Sequence, residues 1–333
     1  MVRVLFSFIT VCAFAAGGIF LYFYSQIRLE SDSIIDYHPE LTTKIYDRNG
    51  NLIANVFNEQ NRIYVKFDEI PGRVIEALVA IEDTAFFEHG GVNVEAIFRA
   101  IIKDVKAMKF VEGASTITQQ ITRNLVLSSE KKLDRKIKEA ILSLKIENAL
   151  SKEQILERYF NEVYFGHGYY GIRTAALGYF KKDLQDLSLK EIAILVGLPK
   201  APSSFDPTKH LDLSLSRANN VIYRMHELGW INKTEYELAM NEQPTIYNET
   251  LTQNVAPYAV DEIIKEAEKI LPDVRTGGYR IDTSLDLKAQ AMAQEALVFG
   301  YNEILKRNKD ANASNVNGAM VVTHPQNGEI LAL

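Results

Sequence analysis

From Pro71 to about Met240 the apolar residues recur at helical spacing, and that stretch decides what most of the chain can fold into. Val74, Leu78 and Ile81 share a face. So do Leu133, Ile137, Ile141 and Leu144, and likewise Ile155, Tyr159 and Val163. Such spacing stacks side chains on one side of a helix and lacks the alternation of a half-buried strand. Glycine and proline interrupt it at Gly90-Gly91, Gly113, Gly166-His167-Gly168 and from Pro199 to Pro202, so the region reads as several packed helices. The flanks have another texture. Lys44-Ile45-Tyr46 and Leu52 to Phe57 bracket Asp47-Arg48-Asn49-Gly50, and Asn-Gly favours a tight hairpin turn. Arg62 to Val65 reads as a third short strand. Beyond about residue 250, Gly277 to Ser284 reads as a strand and Lys288 to Lys306 as a helix. Ala319 to Leu333 reads as a hairpin turning at Pro325-Gln326-Asn327-Gly328.

No charged residue occurs from Val4 to Ile27, and Arg3 and Arg28 bracket that run. At a rise of about 1.5 Å per residue it is long enough to span a bilayer. A cleaved signal peptide is the alternative, since Ala13-Phe14-Ala15 resembles a cleavage site. The apolar run nevertheless continues through Ile19 to Tyr24, which favours an uncleaved anchor. Arg3 precedes the run, whereas Glu30, Asp32 and Asp36 follow it, so the tail is expected in the cytoplasm and the rest outside. The expected organisation is a tail at 1–3, an anchor at 4–27, a polar stalk at 28–43, a main domain at 44–245, and a linker opening a further module at 246–333. The end at Leu333, inside an apolar run, reads as a truncation. A net charge of −6 argues against a general nucleic-acid binder, and the single Cys12 excludes an intrachain disulfide.

Three segments can carry chemistry. Glu82-Asp83 follow the apolar Val79-Ala80-Ile81 and precede Phe86, Phe87 and His89. A carboxylate at the mouth of an apolar pocket can act as a general base, and a solvated helix end is the plainer reading. Gly113 to Gln120, followed by Arg123-Asn124, gathers Ser115, Thr116, Thr118, Gln119 and Gln120 at an apparent helix start. These groups can hydrogen-bond sugar hydroxyls or phosphate oxygens, or simply cap the helix. Lys131, Arg135, Lys136, Lys138 and Glu139 form a cationic stretch with one carboxylate. It suits an anionic leaving group, or it is a charged face with an Arg135–Glu139 pair.

The ordered combination resembles the glycosyltransferase module of class A penicillin-binding proteins. That family carries Glu-Asp-x-x-Phe-x-x-His-x-Gly, matched by Glu82 to Gly91, then Gly-x-Ser-Thr-Ile-Thr-Gln-Gln, matched by Gly113 to Gln120. Arg-Lys-x-x-Glu is matched by Arg135 to Glu139, and Ile-Leu-Glu-x-Tyr-Leu-Asn by Ile155 to Asn161 with Phe160 in place of Leu. Gly168-Tyr169-Tyr170-Gly171, Ala175-Ala176 with Tyr179-Phe180, Leu195 to Pro202, and Phe205-Asp206-Pro207 complete a resemblance over roughly residues 44–235. Thr84 stands where the family has Arg or Lys, Arg123 where Lys is usual, and Lys181 where Gly is usual. Residues 255–333 resemble the linker and first hairpin of the transpeptidase module. Ser128-Ser129-Glu130-Lys131 fits Ser-x-x-Lys, but no Lys-Thr-Gly occurs, so no transpeptidase activity is expected.

The resemblance implies a mainly α, lysozyme-like, two-lobed domain with a small N-terminal β-hairpin, preceded by one transmembrane helix in the cytoplasmic (inner) membrane. It implies polymerisation of lipid II, with a growing lipid-linked glycan as donor and undecaprenyl pyrophosphate as leaving group. Glu82 would be the general base and Glu139 a second catalytic residue. Asp83, Phe86, His89, Ser115, Thr116, Thr118, Gln119, Gln120, Arg123, Asn124, Lys131, Arg135, Lys136 and Lys138 would bind substrate. The resemblance leaves room for a divalent cation, Mg or Mn, with Glu139 as candidate ligand, and implies no organic cofactor. Membrane lipids and cell-wall synthesis proteins are the expected partners. The basic amphipathic segment Ile97 to Phe110, with Arg99, Lys103, Lys106 and Lys109, can lie among lipid headgroups or pack as an ordinary helix.

Overall fold

The computed structural model describes residues 10, 17–18, 22, 35–37, 39–58, 61–107, 115–126, 132–248, 254–308 and 316–333. Nearly all of the expected anchor, and Lys131, lie outside them. Among the described residues no helix is long and apolar enough to cross a membrane. The chain forms two compact units, one of Met1–Pro39 with Ile63–Asn248, the other of Glu40–Arg62 with Glu249–Leu333.

The first unit is helical. Its helices are α1 (Gly72–Glu82), α2 (Val94–Ala107), α3 (Ile117–Val126), α4 (Lys132–Ala149), α5 (Lys152–Glu162), α6 (Ile172–Phe180), α7 (Leu189–Gly197), α8 (Leu211–Glu227) and α9 (Lys233–Asn241). Capping boxes open three of them: Ser151 with Gln154 at α5, Ser188 with Glu191 at α7, and Asn232 with Glu235 at α9. Helix α7 is buried from Lys190 to Gly197 and packs against α1 and α8. That accounts for its nearly unbroken apolar sequence. Helix α3 packs against α4 and α5, whose inner face is Ile155, Leu156, Tyr159 and Phe160. The expected core positions Val74, Leu78, Ile141, Ile155, Tyr159 and Val163 are buried. Leu144 is not. It is 41% exposed, and Leu142 and Ile146 face inward instead.

The second unit contains the expected hairpin. Strands β1 (Thr43–Tyr46) and β2 (Leu52–Val56) run antiparallel with Thr43 opposite Val56. Asp47 Oδ1 accepts backbone N–H groups from Asn49 at 2.9 Å and Asn51 at 2.7 Å, and Gly50 sits at φ +82°. Only a residue tolerant of the left-handed region closes that turn cheaply. Helix α10 (Pro257–Glu268), strand β3 (Arg280–Asp282), helix α11 (Leu287–Arg307) and the hairpin β4 (Val322–Thr323) with β5 (Ile330–Ala332) follow. Strand β3 joins β1 in parallel, giving the order β2-β1-β3. Ile45, Ile53 and Val56 bury against Val260, Ile264, Val274 and Leu285, so the hairpin groups with the C-terminal segment rather than with the helices.

Candidate active site

Glu82 is the last residue of α1. Its Oε2 accepts from Gln120 Nε2 of α3 at 2.8 Å, and its Oε1 faces Arg217 Nη2 of α8 at 3.1 Å. The Glu82 and Arg217 side chains are 13% and 12% exposed, so this pair is largely out of water. Burial pushes the Glu82 carboxyl above its ordinary range, and Gln120, Arg217, Lys200 and Arg123 pull it back only in part. A carboxylate raised toward working pH is the better proton acceptor. Tyr159 donates its hydroxyl to Gln120 Oε1 at 3.3 Å. That bond fixes the amide with its NH2 toward Glu82. Burial holds the phenol protonated, well above the usual range, so it remains a donor.

Asp83 serves the backbone. Its Oδ2 accepts the Ile117 N–H at 3.1 Å, in the first turn of α3, and lies 2.9 Å from His89 Nε2. Gly91 N–H points at His89 Nδ1 at 3.1 Å, so the ring proton is on Nε2 and is donated to Asp83. Thr116 and Gln119 form a reciprocal cap on α3, with Thr116 Oγ1 also donating to the Gly91 carbonyl at 2.6 Å. The end of α1, the loop after it and the start of α3 are thus one hydrogen-bonded body.

The cationic stretch lies on α4. Glu139 is fully buried, with Lys136 Nζ on Oε2 at 2.5 Å and Arg135 Nε 3.3 Å from Oε1, the latter an ion pair without hydrogen-bond alignment. Lys136 Nζ also donates to Ser115 Oγ at 2.9 Å and so links the second motif to the third. Glu139 therefore anchors cations. Its two basic neighbours make it a poor seat for a divalent ion, and no group of three His, Cys, Asp or Glu suited to a metal exists among the described residues.

The expected substrate-binding residues differ in exposure. Phe86, Asp83, Thr116, Thr118, Gln119, Gln120 and Lys138 are buried. Ser115 and Arg123 are partly exposed and Asn124 is exposed, which leaves them available. Arg217, Lys200 and the hydroxyl of Tyr159 were not singled out in the sequence. Arg217 lies 135 residues from Glu82, and no local pattern links the two.

Residues 49–226 match the transglycosylase family model, and the chain belongs to that family. Its relatives include penicillin-binding protein 1A of Aquifex aeolicus, 40% identical over 80% of this chain and 37% of that protein. Penicillin-binding protein 1A of Escherichia coli K12 is 38% identical over 88% of this chain and 35% of that protein. A solved structure of penicillin-binding protein 1A from Haemophilus influenzae is 26% identical with a TM-score of 0.47, covering 85% of this chain and 33% of that one. The chain spans little more than a third of the length of these curated relatives.

Proposed function

We propose that the chain is a peptidoglycan glycosyltransferase of cell-wall synthesis, polymerising lipid II outside the cytoplasmic membrane with release of undecaprenyl pyrophosphate. The observation that carries this reading is Glu82, a carboxylate raised by burial and held by Gln120 and Arg217. Glu82 takes the proton from the acceptor's 4-hydroxyl as that oxygen attacks the donor's anomeric carbon, inverting it. The pyrophosphate departs as an anion and requires positive charge more than an acid. Arg123, Arg135 and Lys136 supply it, and Glu139 holds the last two in place. In this reading the helical unit is the two-lobed, lysozyme-like domain, anchored through residues 4–27.

A glycan hydrolase would also use a carboxylate, but the buried Glu139 with its paired cations favours a pyrophosphate leaving group. Incubation with undecorated glycan and with lipid II separates the two. The glycosyltransferase leaves the glycan uncut and extends lipid II; cleavage of the glycan would refute it.

A lipid substrate gives α2 a role. Val94, Phe98 and Ile102, each four residues apart, are all exposed, Phe98 at 63%. Burying one such side chain in an acyl boundary contributes about 1.5–3 kcal/mol. In a chain lacking residues 1–27, Phe98→Asp with Ile102→Asp is expected to lower partition onto anionic vesicles by roughly 10-fold or more, at unchanged thermal stability. Co-sedimentation reads the partition, and equal binding would return α2 to an ordinary surface helix. The chain is also expected to form no covalent adduct with a labelled β-lactam, since it lacks Lys-Thr-Gly. A labelled band at its mass would overturn that.

A further inference from the structure

Glu147 of α4 and Lys152 at the start of α5 form an ion pair that none of the roles above uses. Lys152 Nζ lies 2.7 Å from Glu147 Oε2 and 2.8 Å from Oε1, with the two side chains 19% and 7% exposed respectively. Each partner has further contacts. Glu147 Oε1 accepts the Thr118 hydroxyl at 2.6 Å, and Thr118 is two residues from Gln120 on α3. Lys152 Nζ donates to the His89 carbonyl at 2.7 Å and stands 4.4 Å from the centre of the Phe86 ring. Gly91 backs onto the same place, where a Cβ would come within 2.9 Å of Glu147 Cγ.

The loop that carries Asp83 and His89, the helix that carries Gln120 and the helix that carries Glu139 therefore meet at one closed pair. Stability alone does not call for it, since an apolar pair of similar size commonly serves a buried site as well or better. What an apolar pair cannot do is bind a carbonyl on one side and a hydroxyl on the other.

We propose that Lys152, neutralised by Glu147, is a positioning residue for the glycosyl transfer. It fixes the loop after Glu82, and with it the base, in register with the cationic helix of Glu139. The proposal rests on the glycosyltransferase reading for the identity of the reaction. Displacement of reacting groups by about 1 Å can cost up to 10²-fold in rate, so the effect falls on kcat rather than on KM.

The test uses the full chain in detergent. Lys152→Met leaves Glu147 without its cation and is expected to lower both the thermal midpoint and kcat. Glu147→Gln with Lys152→Met carries no unpaired charge, and its amide oxygen still accepts from Thr118. That double variant is expected to recover the wild-type midpoint within a few degrees. Its kcat on lipid II is expected to stay at least ~10-fold down, with KM within about threefold. Recovery of kcat together with the midpoint would overturn the proposal, because a merely structural pair would restore both. A second readout is independent of turnover. The His89 ring proton shared with Asp83 should give a slowly exchanging downfield proton resonance in the wild type and lose it in the double variant. An unchanged resonance would overturn the positioning claim, whereas a wild type inactive on lipid II would overturn the functional reading instead.

Discussion

Glu82→Gln is expected to lower lipid II turnover by at least ~10²-fold, the scale for losing a positioned acid–base group, without loss of fold. The introduced amide can accept from Arg217, and Gln120 can turn its own amide with the Tyr159 hydroxyl accepting in exchange. The stability effect has a defined sign. Burial raises the Glu82 carboxyl in the folded chain, so the folded state binds that proton more tightly than the unfolded state. Its stabilising contribution is full below the unfolded value and is lost as pH rises through the folded one. At neutral pH the variant should therefore be as stable as wild type or more so, and the difference should vanish on acidification. The same shift places the acidic limb of the kcat/KM profile above the ordinary carboxylate range. Removing the opposing cation by Arg217→Met should move the limb higher still. Thermal scans across pH and the two rate profiles read these outcomes. Near wild-type turnover by Glu82→Gln would remove Glu82 from the role of base.

Gly91→Ala is expected to be among the most damaging single substitutions in the helical unit. Gly91 sits at φ +95°, and a Cβ there would lie 2.6 Å from the Ser143 carbonyl oxygen of α4 and 2.8 Å from its carbon. Those are backbone atoms within a helix and cannot step aside alone. Left-handed strain and overpacking together cost roughly 2–5 kcal/mol. The thermal midpoint should fall by about 5–15 °C, at roughly 2–4 °C per kcal/mol for a domain of this size. Turnover should fall with it, because Gly91 also supplies the N–H that orients His89 and the carbonyl that holds Thr116. A midpoint within about 1 °C of wild type, less than roughly 0.5 kcal/mol on the same scale, would show that the loop does not press on α4.

The helices of the first unit were legible because their apolar period survives glycine and proline breaks, and the first hairpin because Asn49-Gly50 specifies its turn. The allegiance of that hairpin was not. It depends on β1 pairing with a strand near residue 280, with Tyr279 N–H bonded to the Thr43 hydroxyl 236 residues away. No window of sequence contains such a pairing. The motif residues were legible as a set but not by role. Thr116, Thr118 and Gln119 are of types that serve equally to bind sugars or to cap a helix, and here their bonds run to α3, Gly91 and Glu147. Arg217 was illegible for the same nonlocal reason as the hairpin, although its contact with Glu82 is central to the electrostatics of the site.

The proposed reaction is direct transfer of a glycosyl unit from lipid pyrophosphate to a sugar hydroxyl with Glu82 as base. Purified lipid II, incubated with the detergent-solubilised full chain and with its Glu82→Gln variant, tests it most directly, with glycan length and released undecaprenyl pyrophosphate measured together. Glycan strands are expected from the wild type, with one pyrophosphate-linked lipid released per linkage formed, and at least ~10²-fold less of both products from the variant at the same enzyme concentration. Lipid release without polymer, or polymer in equal yield from both proteins, would contradict it.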